Sequence, residues 1–267
     1  MLQDTDAVIR TIHPNDWMLS PGREGEYFRF GGTGAQCVHR ALNSVALSFE
    51  VNTGAILDLP SGYGRVLRFL KAAYPEASIT ACDIVEEAVD FCVETFGARG
   101  VYSADDPREI DDDWRYDAIW CGSLLTHLRE EMWDPWLAFF EERLAPGGSL
   151  LFSTHGEAYA RGYFPDHMPA EFHKLQAAYR ETGFAFSPFK AEEPTGNGTS
   201  LSSPAWVLDR LRRRPFFRVT SFMERAWLDA HDVWCVTREP QDRIEADETR
   251  AASIATRLNG AEQPTVA

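Results

Sequence analysis

The most constraining feature of this sequence is an alternation of short apolar runs and longer amphipathic stretches between residues 55 and 154. Two parallel strands need a connection of a dozen or more residues, usually a helix, so the alternation predicts a parallel sheet covered by helices. Pro146, Gly147 and Gly148 predict a turn that ends the last of these helices. The predicted strands are 55–59, 78–83, 100–102, 116–121 and 149–154, and the predicted helices are 64–73, 85–96 and 132–144.

Two further strands are predicted at 216–222 and 232–237, after a helix at 204–213. The connection between them is too short for a parallel crossover, so we expect an antiparallel hairpin at the edge of the sheet. The sequence therefore predicts an α/β fold, a doubly wound and mostly parallel seven-strand sheet with an antiparallel edge hairpin. One domain of residues 1–240 accommodates it, with its core at 54–155 and the final helix and hairpin at 204–238.

Three regions do not follow the regular pattern. Residues 1–50 predict an N-terminal helical cap, in which Gly31, Gly32 and Gly34 lead into a helix at 35–49. Residues 156–200 are rich in Tyr and Phe with Pro and Gly between them, which predicts either a lid-like insert or a helical excursion packed on the core. Residues 241–267 are polar and predict a flexible tail.

Charge and composition narrow the range of partners. The formal net charge is −15 and the pI is about 4.9, so the chain repels phosphate backbones and we expect no nucleic-acid partner. We find no secretory signal pattern at the N-terminus and no apolar run near the ~20 residues that cross a bilayer. We therefore expect a cytoplasmic protein with no membrane partner. The sequence leaves open whether it forms a homo-oligomer.

The sharpest motif runs from Ile56 to Arg65, where an apolar strand ends in Asp58 and turns through Gly62 and Gly64 into a helix. Glycines in such a turn permit positive φ and the close approach of a ligand. A dinucleotide-binding fingerprint needs a third glycine three residues after Gly64, and that residue is Leu67. The motif therefore argues against an NAD site.

A second acidic residue lies at a compatible spacing. Asp83 ends the next predicted strand, 19 positions after Gly64, close to the offset of about 20 residues at which a carboxylate binds the ribose hydroxyls of an adenosine cofactor. The structural alternative is an aspartate that only caps the following helix.

These segments resemble the Asp/Glu-x-Gly-x-Gly-x-Gly loop and second-strand acid of class I S-adenosylmethionine-dependent methyltransferases, with Pro60 at the first glycine position. Residues 101–105, 116–123 and 144–152 resemble the family's later strands in the right order, so the likeness covers about residues 54–155. Gly64 to Leu67 and Ser123 to Leu128 resemble bacterial enzymes of this family that methylate small molecules. The resemblance implies S-adenosylmethionine as cofactor and a small-molecule acceptor. It implies cofactor-binding roles for Asp58, Pro60, Gly62, Gly64, Arg65, Asp83, Ile84, Ala104, Asp105, Cys121 and Gly122.

Methyl transfer to a hydroxyl benefits from a general base, and three histidines follow or begin predicted strands. Ligands sit at the carboxyl ends of parallel strands, which favours His127 and His155 as catalytic candidates over His231. We expect no metal site, because no acidic ligand stands at 121–126 after the fourth strand. We expect residues 1–34 and 156–200, which are rich in aromatic side chains, to cover the acceptor.

Two rival interpretations remain at this point. A non-catalytic cofactor-binding or scaffold protein would keep the glycine loop but lack an acceptor pocket. An NAD-dependent oxidoreductase would share the strand, turn and helix, although Leu67 argues against it.

Overall fold

The computed structural model describes residues 7–162, 172–189 and 196–261. Within these ranges, seven strands form one sheet: β1 (Ala55–Asp58), β2 (Ser78–Asp83), β3 (Arg99–Tyr102), β4 (Tyr116–Cys121), β5 (Leu144–His155), β8 (Phe217–Trp227) and β9 (His231–Arg238). Their order is β3-β2-β1-β4-β5-β9-β8, and the pairs from β3 to β5 are all parallel. The predicted α/β fold is confirmed.

The C-terminal hairpin is antiparallel as predicted, but its second strand is not at the edge. Strand β9 lies between β5 and β8, antiparallel to both, and β8 forms the edge. Since β9 runs opposite to the other strands, its first residue lies at their carboxyl ends, and His231 pairs directly with His155. His231 therefore begins an inner strand of the sheet, and only the other strand of the predicted edge hairpin, β8, is at the edge.

Helices cover both faces of the sheet. One apolar cluster includes residues of the first three helices, another includes residues of the fourth and seventh, and a third, smaller one centres on the insert. The helices are α1 (Glu24–Val45), α2 (Leu67–Ala73), α3 (Glu86–Phe96), α4 (Glu130–Arg143), α5 (Glu157–Ala160), α6 (Phe172–Thr182), α7 (Pro204–Leu211) and α8 (Gln241–Ala261).

Helix α1 begins eleven residues before the predicted start and includes the glycines that we took to precede it. Glycine lowers intrinsic helix propensity, but here tertiary packing requires it. A Cβ atom on Gly31 would lie 2.1 Å from the carbonyl oxygen of Arg65, so only glycine lets α1 approach the α2 region this closely. The helix thereby reaches the residues next to the glycine loop.

The structure differs from two further local predictions. Strand β5 starts at Leu144, directly after α4, and the predicted turn at Pro146, Gly147 and Gly148 is an irregularity within the strand, where the register with β4 shifts. The 241–267 segment, expected to be a flexible tail, contains α8; its residues after 261 lie outside the described ranges.

The insert contains more regular structure than a helix and a loop. After α5 and α6, strands β6 (Phe184–Pro188) and β7 (Gly198–Ser202) pair as a separate antiparallel sheet. Residues 163–171 and 190–195 of the predicted lid lie outside the described part of the chain. In the described ranges, no helix is long and apolar enough to cross a membrane.

Candidate active site

The turn between β1 and α2 holds two glycines at positive φ. Gly62 has φ +48° and Gly64 has φ +75°, a region that L side chains rarely adopt. A Cβ atom at Gly62 would meet open space, whereas one at Gly64 would lie 2.6 Å from the Phe96 ring and 3.1 Å from Cys92 Sγ. Packing against α3 and backbone conformation both require glycine at 64, and conformation alone requires it at 62.

Asp58 turns into the protein interior rather than towards a cavity. The backbone N–H of Leu67 donates a hydrogen bond to its carboxyl group, and within the described residues its Oδ2 atom has no hydrogen-bond partner. Burial, and then the neighbouring Asp83 charge, raises the pKa of Asp58 well above its usual range. This arrangement fits a side chain that supports the glycine loop from the interior of the protein.

Asp83 joins the glycine loop to α3. Its Oδ2 accepts the N–H of Gly62 at 2.7 Å and its Oδ1 accepts the N–H of Val85 at 3.0 Å. Burial raises the pKa of the Asp83 carboxyl, and these backbone hydrogen bonds oppose the increase. The carboxylate therefore ties the glycine loop to the residue before α3 and also faces the cavity beside it.

A first cavity of about 350 Å³ opens at the carboxyl ends of β1, β2 and β4. Its walls combine one buried carboxylate, from Asp83, with apolar surface, and Ile84 is about half exposed within it. Five of the predicted cofactor-binding residues line it: Pro60, Asp83, Ile84, Ala104 and Asp105.

The other predicted cofactor-binding residues do not line this cavity. Arg65 lines a second cavity instead. Cys121 is fully buried in β4, and a Cβ on Gly122 would lie 2.7 Å from the Trp120 indole nitrogen, so both serve packing at the end of the strand. Asp58, Gly62 and Gly64 form the turn without lining either cavity.

The second cavity, of about 440 Å³, lies beside the first and has an aromatic wall. Residues from the segment before α1, from α1 itself and from the insert meet around it. The segments expected to cover an acceptor thus contribute Trp17, Tyr27, Phe30, Tyr159 and Phe189.

His127 lines both cavities and so lies where they meet. Its Nδ1 donates a hydrogen bond to the Gly198 carbonyl oxygen at 2.7 Å, which leaves the lone pair of the neutral ring on Nε2. Nε2 is 3.3 Å from the hydroxyl of Ser123, a residue held at φ +67°. Burial lowers the pKa of His127, which favours the neutral ring.

His155 and His231 form a buried pair on the floor of the second cavity, with their Nε2 atoms 3.1 Å apart. His155 Nδ1 donates to the Ser200 carbonyl oxygen, so the neutral His155 ring accepts at Nε2 and His231 must be the donor. His231 Nδ1 then accepts from the Ser153 hydroxyl at 3.2 Å. The basic nitrogen of His155 is thus already engaged by a neighbouring ring.

Comparisons with known proteins point to one kind of enzyme. Residues 57–150 match a family model described as a methyltransferase domain. This part of the chain, which contains β1 to β4 and the start of β5, is therefore similar to a methyltransferase domain. Malonyl-[acyl-carrier protein] O-methyltransferase of Priestia megaterium is 24% identical over 190 residues, which are 67% of this chain and 62% of that protein. The match therefore spans less than two thirds of the relative's length.

Solved structures agree on the methyltransferase fold. An S-adenosylmethionine-dependent methyltransferase from Clostridium acetobutylicum superposes with a TM-score of 0.53 at 9% identity, covering 79% of this chain and 92% of that one. Magnesium protoporphyrin IX methyltransferase from Synechocystis, with bound S-adenosylhomocysteine, gives a TM-score of 0.53 at 12% identity, covering 83% and 89%.

S-adenosylmethionine is the methyl donor of this family, and the first cavity of the methyltransferase domain fits its adenosine part. A carboxylate offers up to four acceptor positions, so Asp83 can serve its backbone donors and still accept from a ribose hydroxyl. Ile84 contributes exposed apolar surface to this cavity, and Asp105 contributes a carboxylate.

Sequence reasoning missed Ser123 and ranked His231 below the other two candidate histidines. Ser123 and His231 both line the second cavity. The register of β9 was the only signal for His231, and it required the sheet order. Ser123 lies two residues after Cys121, the last residue of β4. Ligands of parallel sheets bind at the carboxyl ends of the strands, so this position could have identified Ser123 as a candidate from the sequence.

Proposed function

We propose that this methyltransferase transfers a methyl group from S-adenosylmethionine to a hydroxyl of a small-molecule acceptor, with His127 as the general base. The observation that carries the proposal is that His127 is shared by the two cavities. A group at that boundary can reach an acceptor hydroxyl in one cavity while the cofactor's sulfonium end enters from the other.

The cofactor assignment rests on the walls of the first cavity. We assign ribose binding to Asp83, purine contact to Ile84 and Ala104, and a polar contact to Asp105, with Pro60 in the adjacent turn. When bound, the cofactor supplies an electrophilic methyl group whose leaving group departs neutral. The protein's task is then to hold the nucleophile in line with the methyl and about 3–3.5 Å from it.

The hydrogen bonds distinguish the two histidine candidates. The neutral His127 ring offers a basic Nε2 on the cavity side, where its neighbour is the rotatable hydroxyl of Ser123 at 3.3 Å, and its other nitrogen is fixed by the Gly198 carbonyl. In contrast, His155 Nε2 accepts from His231, and a proton arriving there would have to displace that bond. We therefore assign His127 as the base and His155 as a residue that orients the cavity floor.

Two observations support an O-directed, catalytic function over the scaffold alternative. The second cavity of about 440 Å³ is large enough for a small acceptor, and a pure scaffold has no need of it. The relative from Priestia megaterium is named as an O-methyltransferase.

The test combines methyl transfer with cofactor titration. Wild-type protein and radiolabelled S-adenosylmethionine are screened against small hydroxyl compounds, and the best acceptor is then used with three variants. His127→Ala should lower kcat by about 10²–10⁴ while S-adenosylhomocysteine affinity stays nearly unchanged. His155→Ala should lower kcat less, and His39→Ala, at an exposed histidine on α1, should not change it. Full kcat in His127→Ala would refute the base assignment, and label on nitrogen or carbon would refute O-methylation.

A further inference from the structure

Arg68, in the first turn of α2, has a buried side chain that donates all five of its N–H groups within the protein. Its Nε donates to the carbonyl oxygen of Gly64 at 3.0 Å and its Nη2 to that of Tyr63 at 3.2 Å, so two donors hold the glycine loop. Its Nη1 donates to the carbonyl oxygens of Ile9 and Thr11 at 3.1 and 2.8 Å. One guanidinium group therefore joins the glycine loop to the N-terminal segment, residues 7–23, which precedes α1.

The fifth donor extends this connection to the second cavity. Nη2 of Arg68 also donates to the Tyr27 hydroxyl at 3.2 Å, and that hydroxyl donates to Asp16 Oδ2 at 2.6 Å. Asp16 Oδ1 accepts the N–H of Met18 at 3.0 Å, and Trp17 and Met18 line the second cavity. The position of this part of the cavity wall therefore depends on hydrogen bonds that begin at Arg68.

Aromatic contacts form a second link between the same two segments. Tyr63 lies between the two loop glycines, and the His13 ring stacks on its ring with centroids 4.6 Å apart and planes 8° apart. The Trp17 ring lies nearly perpendicular to the Tyr63 ring at 5.4 Å. A shift of the glycine loop would thus move the surface against which the N-terminal segment packs.

The glycine loop is also tied to the first cavity, through Asp83. The Gly62 N–H donates to Asp83 Oδ2 at 2.7 Å, and Asp83 lines that cavity. A ligand hydroxyl bound by this carboxylate therefore acts on a group that already holds the loop. A continuous path of hydrogen bonds and loop backbone thus runs from Asp83 through Gly62 and the Arg68 guanidinium to Asp16.

Packing alone does not explain an arginine at this position of α2. Moving a guanidinium from water into the interior is costly, and an apolar side chain of similar volume would fill the same space at a lower cost. What the planar group with five donors provides is a rigid connection between the glycine loop, the N-terminal segment and Tyr27 of α1.

We propose that Arg68 is a positioning residue that transmits cofactor binding at the first cavity to the N-terminal wall of the second. Cofactor binding steadies the glycine loop, and Arg68 then holds Trp17 and Met18 in the arrangement that receives the acceptor. The proposal rests on the proposed function, because that function assigns the acceptor to the second cavity. It implies that cofactor and acceptor bind cooperatively.

Hydrogen exchange of the N-terminal segment, followed by mass spectrometry with and without saturating S-adenosylhomocysteine, tests the proposal. The backbone N–H groups of Asp16, Met18 and Leu19 donate hydrogen bonds within the segment, so their exchange reports its opening. The quantity compared is the ratio of the exchange rates without and with the ligand. Calorimetry verifies that each protein is saturated.

Two variants weaken the connection at different points. Arg68→Lys keeps the positive charge but loses the fork of five directed donors, and Tyr27→Phe removes only the hydroxyl between Arg68 and Asp16. Arg99→Gln is the matched control. It breaks a 2.9 Å ion pair with the buried Asp112 carboxylate at β3 and so lowers stability at a site outside the glycine loop and the N-terminal segment.

In wild type, S-adenosylhomocysteine should slow the exchange of these amides by at least about 5-fold, the lower end of the usual coupling between two sites. The ratio should fall close to one in Arg68→Lys, take an intermediate value in Tyr27→Phe and keep its wild-type value in Arg99→Gln. An Arg68 that only stabilised the fold would, when replaced, speed exchange in both states and leave the ratio unchanged.

An unchanged ratio in folded Arg68→Lys, or in Tyr27→Phe if the lysine variant does not fold, would overturn the proposal. So would a wild-type ratio of one, or a loss of the ratio in Arg99→Gln. Failure of the proposed function would appear separately, as absent methyl transfer by a protein that binds S-adenosylhomocysteine and shows the expected ratios.

Discussion

Substituting alanine for each of the two loop glycines, Gly62 and Gly64, should distinguish the energetic cost of backbone strain from the cost of steric overlap. At Gly62 the added Cβ meets open space, so Gly62→Ala should cost only the left-handed conformation, about 1–2 kcal/mol of unfolding free energy. At Gly64 the added Cβ also overlaps the Phe96 ring at 2.6 Å, on an aromatic cluster that cannot retreat freely. Overpacking of this kind adds about 1–3 kcal/mol, so Gly64→Ala should cost about 2–5 kcal/mol in total.

Urea unfolding followed by circular dichroism measures both values, provided that the m-value stays constant. Gly25→Ala is the matched control, because Gly25 lies in the first turn of α1 with normal φ and open space around its Cβ position. This substitution should be neutral or stabilising by about 0.5–1 kcal/mol. Equal destabilisation by Gly62→Ala and Gly64→Ala would refute the packing argument. Folded Gly64→Ala should still bind S-adenosylhomocysteine, since the new methyl group points to Phe96 rather than into a cavity.

Two further predictions concern ionisable groups. Asp83→Ala should weaken S-adenosylhomocysteine binding by about 1.5–3 kcal/mol in calorimetry, and unchanged affinity in folded protein would remove Asp83 from the cofactor site. Because burial lowers the pKa of His127, kcat should be constant around pH 7 and fall only below the ordinary histidine value of about 6.5, so a decline that starts above that value would contradict a neutral His127 base.

The core of the fold could be predicted because its strands are apolar and its helices amphipathic. Strands β1, β2 and β4 start at the predicted residues, and their ends differ by at most one position. The start of α1 could not be predicted in the same way. Its glycines disfavour a helix locally, and only the approach of Gly31 to the Arg65 carbonyl explains why the helix continues through them.

Only some residues of the candidate cofactor site could be predicted from the sequence. Sequence position puts Asp58, Asp83 and Cys121 at the carboxyl ends of their strands, but it does not tell which side chains point into the cavity. Asp83 faces the cavity, whereas the Leu67 N–H holds Asp58 beneath the loop. Cys121 is fully buried among apolar side chains. Side-chain direction at a strand end depends on the turn that follows, and no periodic pattern encodes that turn.

The position of His231 follows from strand direction. The last residues of parallel strands lie at the edge of the sheet where ligands bind, so a sequence search for site residues examines the positions that follow each strand. In an antiparallel strand of the same sheet, the first residue lies at that edge instead. Strand β9 is such a strand, and its first residue, His231, lies opposite His155. Two residues 76 positions apart thus form the floor of one cavity. His231 donates to the nitrogen that His155 would otherwise use as a base, whereas His127 Nε2 faces the rotatable hydroxyl of Ser123, so the reversed strand favours His127 as the candidate base between the cavities.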